Sequence, residues 1–136
     1  MSVLLSIRPE FAEKILAGEK RFEFRRVMPK QRVERVVIYA SSPTCRLVGE
    51  FTVRRVLSAP PERLWRQTRS HAGIPRHYFD AYFNERTEAH AFEIDEVLRY
   101  DQPIDPVTIC PSFRPPQSFV YLERLDGFER HLSSAA

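Results

Sequence analysis

Residues 18–26, Gly18-Glu19-Lys20-Arg21-Phe22-Glu23-Phe24-Arg25-Arg26, constrain this chain more than any others. The segment before them, residues 9–17, places Phe11, Ala12, Ile15 and Leu16 in the i, i+1, i+4, i+5 pattern of one helical face. Pro9 suits the first turn of that helix, and Gly18 sits where a glycine closes one. The period then changes from 3.6 to 2. Phe22 and Phe24 face one way, and Arg21, Glu23 and Arg25 the other. A capped helix therefore leads directly into a strand that buries its Phe side and offers a charged side.

Around this pair the same reasoning gives an ordered series. Residues 3–7, 33–40, 46–57, 89–98 and 118–122 read as strands from their apolar runs or alternation. Pro60-Pro61 opens a helix holding Leu64 and Trp65. Residues 75–83 form another, with Tyr78, Phe79, Tyr82 and Phe83 as its apolar stripe. That stripe is read chiefly as core, with a base-stacking platform as the other use of such rings. Residues 71–75 are a break, and residues 101–116 a proline-rich crossing loop. Short links between strands and few helices argue for an α+β domain on a mostly antiparallel sheet or partly closed barrel. The expected organisation is one domain over residues 1–126 and a loose C-terminal tail over 127–136.

No run of 18 apolar residues exists, which argues against a transmembrane helix, and Arg8 and Glu10 leave no room for a signal-peptide core. Cys45 and Cys110 form no disulfide framework and fit buried thiols in a cytoplasmic protein. His71, His77, His90 and His131 are scattered, without metal-ligand spacing, so no metal site is expected from them. Charge is uneven. Residues 1–57 hold twelve Lys and Arg against six Asp and Glu, whereas the rest carries a net −3. One anion-attracting face follows, or ordinary surface charge.

Three segments could carry chemistry. In the first, Arg25 can clamp a phosphate or stack on a base, Lys20 can neutralise a phosphate or act as a base once desolvated, and Glu23 can read amino groups or move protons. An exposed strand face knitted by salt bridges is the alternative. In the second, Ser41 and Ser42 stand at a strand end, where hydroxyls and backbone N–H groups can hold a phosphate, or where a turn merely ends the strand. In the third, Gln117 offers an amide to a base edge or is structural loop.

Leu4-Leu5-Ser6-Ile7-Arg8-Pro9 and Gly18-x-Lys20-x-x-Glu23-x-Arg25 together resemble the ASCH domain, a branch of the PUA-like superfamily, whose signature GxKxxExR is matched at all four fixed positions. Tyr39-Ala40-Ser41-Ser42-Pro43 and Pro115-Pro116-Gln117-Ser118-Phe119 are similar to segments of small bacterial and archaeal ASCH proteins. The likeness runs from about residue 3 to about residue 122. It implies a small, mostly antiparallel PUA-like β-barrel flanked by helices, with the signature in a cleft beside the first helix. It also implies an RNA-related role. One branch deacetylates N4-acetylcytidine with a lysine at the position of Lys20 and a threonine where this chain has Glu23. Another branch, a metal-dependent ribonuclease, keeps the Lys, Glu and Arg.

The leading expectation is a basic cleft for RNA or a modified nucleotide, single-stranded rather than duplex. Ser6, Arg8, Lys20, Glu23 and Arg25 line it, with Ser41, Ser42 and Gln117 at the rim; Arg8, Lys20 and Arg25 meet phosphate. No cofactor is required. The alternative is a hydrolase of RNA or a modified nucleoside, with Lys20 and Glu23 catalytic and a divalent metal on Glu23 if it is a nuclease.

Overall fold

The computed structural model describes residues 1–135, which run β1 (Ser2–Ile7), α1 (Pro9–Leu16), β2 (Phe22–Arg25), β3 (Arg35–Ala40), β4 (Arg46–Ala59), α2 (Pro61–Thr68), α3 (Arg76–Tyr82), β5 (Ala89–Ile104), α4 (Pro106–Ile109), β6 (Val120–Tyr121) and α5 (Phe128–Ala135). The strands form one six-stranded mixed sheet in the order β2-β5-β4-β3-β1-β6. β1 and β3 pair in parallel, and the other pairs are antiparallel. The β4–β5 ladder shifts register between Leu47 and Gly49, Phe51 and Val53, and Val53 and Arg55. Such bulges bend strands and raise their twist, which curls the sheet into a half-barrel. The fold is α+β and PUA-like. No helix among the described residues is long and apolar enough to cross a membrane.

Strand alternation sorts the core. Val3, Leu5 and Ile7 of β1 share one face with Ile38, Phe51 and Phe92, and Ala12 and Ile15 of α1 pack on it. This is why α1 needs its apolar stripe. On the opposite face Phe24 and Ala91 lie with Leu64 of α2 and with Phe79 and Phe83 of α3. Further along, Leu4, Val37 and Leu47 meet Phe128 and Leu132 of α5.

Three expectations need correction. First, β2 begins at Phe22 and does not offer Glu23 and Arg25 to solvent, whereas Arg21 before it is exposed. Glu23 and Arg25 stand opposite Phe92 and His90 in the β2–β5 ladder, so they share the inner face, while α2 and α3 cover the Phe24 side. Both faces are buried, because the half-barrel wraps what a flat sheet would leave open. Second, β5 continues to Ile104, and α4 occupies part of the expected crossing loop. Asp105 caps α4 by accepting from the Val107 N–H at 3.1 Å. Third, the expected tail is mostly helix. Phe128 and Leu132, four residues apart, are fully buried on one face of α5. Ala136 lies outside the described residues.

Removing the Phe128 ring should therefore be costly despite its place near the chain end. Phe128→Ala should lower the unfolding free energy by about 3–5 kcal/mol in urea titrations. A loss below about 1 kcal/mol would mean that α5 is not part of the core.

Candidate functional site

The turn after α1 sends the chain into β2 with Gly18 at a φ of +83°. Lys20 follows at a position that two backbone contacts fix: the Arg21 N–H donates to the His71 carbonyl at 2.9 Å, and the Ile94 N–H donates to the Arg21 carbonyl at 2.9 Å. Its side chain is buried, at 2% exposure. The Lys20 ammonium donates to the Ala72 carbonyl at 2.8 Å, lies 3.8 Å from Glu23 Oε1, and sits 4.8 Å from the Phe24 ring centre. Burial pulls its pKa down from 10.5 to about 8, against the attraction of Glu23, while Arg25 and Lys14 add to the depression.

Glu23, at 7% exposure, is held from its other side. Arg25 donates to Glu23 Oε2 from both Nε, at 3.2 Å, and Nη2, at 2.9 Å. The remaining reach of that guanidinium goes across the sheet opening. Arg25 Nη2 donates to the Ser6 carbonyl at 2.9 Å, and Nη1 to the Ser118 carbonyl at 3.3 Å. The Ser6 hydroxyl donates to the Pro116 carbonyl at 2.9 Å. Two cations and one carboxylate thus meet within a few ångströms. Each is hydrogen-bonded or paired, as buried charges must be.

Above them opens a cleft of about 120 Å³. Ser6, Lys20, Glu23 and Arg25 supply its polar lining, and Phe11, Ile74, Tyr78 and Tyr82 its apolar lining, with the Phe11 and Tyr78 rings packed edge to face at 5.1 Å. Exposed Arg8 lies 5.7 Å from the Phe11 ring centre and 5.5 Å from that of Tyr78. Arg26 lies 4.5 Å from the Tyr82 ring centre, and its backbone N–H donates to the Tyr82 hydroxyl at 3.3 Å. Two arginines on aromatic faces therefore flank the opening.

The structure brings Ser6, Arg8, Lys20, Glu23 and Arg25 together in this cleft. Ser41 and Ser42 are not among its lining residues. The Ser41 N–H donates to the Ile7 carbonyl, and the Thr44 and Cys45 N–H groups donate to the Ser41 carbonyl, so three of the turn's backbone donors are engaged. Gln117 does not line the cleft either; it is exposed between Pro116 and Ser118, whose carbonyls Ser6 and Arg25 hold.

The sequence offered the α3 stripe chiefly as core, with stacking as its other use, and did not place it beside the signature. The α3 stripe splits: Phe79 and Phe83 are core, whereas half-buried Tyr78 and Tyr82 face the cleft. The phenol groups were a usable signal, since a buried Tyr hydroxyl needs a polar partner that a Phe does not. Gly73 was missed as well. It has a φ of +70°, and a Cβ there would stand 2.4 Å from the Lys20 Cβ and Cγ. Only glycine lets the 72–74 backbone close over the lysine stem. Trp65 packs 5.1 Å from Phe79 and takes no part in the cleft.

A divalent cation does not fit this donor set. Glu23 is the sole carboxylate lining the cleft, and two cations already balance it. Among the described residues no group of three His, Cys, Asp or Glu could hold a metal.

Two outcomes follow from the depth of Lys20. Between pH 8 and 10.5 the unfolded chain keeps a proton that folded Lys20 has released, so this group makes stability rise with pH across that window. Relative to Lys20→Met, the wild type should gain on the order of 3 kcal/mol there by denaturant unfolding, and parallel pH profiles would contradict the burial. Gly73→Ala should destabilise by about 1–3 kcal/mol, because Lys20 must move; a neutral change would contradict the close packing.

The ASCH domain profile matches residues 5–103. The chain is 31% identical over 128 residues to an ASCH domain-containing ribonuclease of Zymomonas mobilis, across 89% of this chain and 84% of that protein. It is 32% identical over 123 residues to a protein named ATP synthase subunit alpha from Ureaplasma parvum, but spans only 15% of that protein's length. A crystal structure of ASCH from Zymomonas mobilis superposes with a TM-score of 0.90 at 27% identity, covering 99% of this chain and 96% of that one. With the signature lysine, glutamate and arginine on the floor of one cleft, and the matched region holding all three, the chain belongs to the ASCH domain family.

Proposed function

We propose that the chain binds single-stranded RNA and seats one base or modified nucleotide in the cleft. The observation that carries this reading is the convergence of Lys20, Glu23 and Arg25 beneath an aromatic-walled opening. Tyr78, Tyr82 and Phe11 offer ring faces for stacking. Glu23, fixed by Arg25, can accept from a base amino group. Pockets for drug-sized ligands run roughly 300–1,000 Å³, and about 120 Å³ suits one ring system rather than a duplex. The similarity to a protein named as a ribonuclease supports RNA as the ligand class.

Lys20 and Arg25 are already engaged with Glu23 and with backbone carbonyls. Phosphate contact therefore falls to Arg8, whose pair with Glu10 at 3.1 Å is open to solvent, and to Arg26, with Gln117 near the rim. Affinity for a single-stranded oligonucleotide, followed by fluorescence anisotropy, should fall steeply with salt. Arg8→Ala should flatten the log–log slope by about 0.7, the contribution of one phosphate contact. Affinity that is constant from low to moderate salt would overturn the reading.

One observation favours hydrolysis as a second reading. A lysine with a pKa of about 8 lies 3.8 Å from a carboxylate in a largely water-excluded place. Glu23 would then carry the proton, with Lys20 as its electrostatic partner. Glu23 is not a nucleophile of the threonine kind, and Arg25 occupies one of its oxygens, which weighs against deacetylation of acetylcytidine. Lys20→Ala and Glu23→Gln should each abolish RNA cleavage if the cleft is catalytic. Cleavage, or acyl release from acylated cytidine, that survives both changes would remove the cleft from the reaction.

A further inference from the structure

A second cavity lies where the chain leaves the cleft. The chain continues from Arg25 into residues 28–34, which with residues 53–56 of β4 and Phe92 of β5 line an open cavity of about 530 Å³. Phe92 is part of its lining, and Phe92 stands directly opposite Glu23 in the β2–β5 ladder. The cavity thus begins one cross-strand pair away from the carboxylate of the cleft. Its floor is apolar: Val53 and Val56 lie there, and Val56 is 46% exposed, unusual for a valine within a paired strand.

Its rim is cationic. Lys30, Arg32, Arg54 and Arg55 line it against one carboxylate, Glu34, which the Met1 amino group holds at 2.7 Å. Arg54 and Arg55 are spoken for, since they pair with Asp95 at 2.8 Å and Glu93 at 2.7 Å. Exposed Lys30 and Arg32 are in no salt bridge among the described residues. An apolar floor with two exposed cations in no salt bridge above it, of which Arg32 also helps hold the Glu34 carboxyl low, matches a ligand that joins a flat ring to a phosphate, repeated along a chain.

We infer that this cavity is a second subsite, which takes the nucleotide and phosphodiester adjoining the one in the cleft. The inference rests on the RNA reading of the cleft and extends it: the ligand is an oligonucleotide that spans both cavities, and not a free nucleoside. Neither cavity alone requires that. Their adjacency along one ladder, with cations in no salt bridge at the larger one, does. Arg26, which follows Arg25 of the cleft, leads the chain into the segment that lines the second cavity.

The test uses single-stranded RNA of one, two, four and six nucleotides, with anisotropy for the oligomers and NMR shift titration for the mononucleotide. Wild-type affinity should rise with length. Lys30→Glu with Arg32→Glu should weaken hexamer binding at least tenfold. Lys30→Gln with Arg32→Gln should weaken it less and flatten the log–log salt slope by about 1.4, the contribution of two phosphate contacts. Mononucleotide binding should not change in either variant. Both sites are on an exposed loop, so thermal unfolding should match the wild type and exclude misfolding. If the charge-reversed protein binds the hexamer like the wild type while the mononucleotide still occupies the cleft, the second subsite is overturned and the cleft reading stands. If wild-type protein binds RNA of no length, both fall.

Discussion

The Arg25 guanidinium is the interaction on which the rest of this structure depends. Its residue belongs to β2, one edge of the sheet, yet it donates to carbonyls of β1 and of the segment before β6, the other edge. A curled sheet with open edges exposes unpaired backbone groups. Here a side chain closes part of that opening. A guanidinium at 9% exposure needs compensation, and Glu23 supplies it with two hydrogen bonds to one oxygen. Glu23 in turn makes a buried lysine tolerable. Among the described residues no buried side-chain nitrogen or oxygen lacks a partner.

This arrangement ties architecture to chemistry. The residues that hold the sheet edges together are also the floor of the cleft. Their positions are therefore set by the fold and not by flexible side chains, which suits recognition that depends on preorganised groups. It also divides the work. The buried trio fixes shape and local charge, while the exposed arginines on Phe11, Tyr78 and Tyr82 remain able to meet a ligand.

Much of this was legible in the sequence, for identifiable reasons. The switch from helical to strand period at Gly18 located α1 and β2, and the signature spacing located Lys20, Glu23 and Arg25. Their burial was not legible. Alternation says which residues share a face, but not whether the sheet curls over that face, and the bulges that curl it lie in β4 and β5. Tyr78 and Tyr82 merged with Phe79 and Phe83 into one apolar stripe, because helical spacing alone does not separate ring faces that point about 100° apart. Gly73 gave no local signal, since its neighbour, the Lys20 stem, is distant in sequence. The helix at 128–135 was hidden by polar composition; Phe128 and Leu132 anchor it. Ser41 and Ser42, offered by the sequence as an anion turn, lie outside the cleft lining, and the Ser41 N–H is engaged by the Ile7 carbonyl.

A base that enters the cleft would stack on Tyr78 and Tyr82 above the Glu23–Arg25 pair. Aromatic 1H–13C NMR spectra recorded while a single-stranded oligonucleotide is added test this most directly. The ring resonances of Tyr78 and Tyr82 should move upfield as a stacked base saturates the cleft. Saturable binding that leaves those ring resonances where they were would contradict the account.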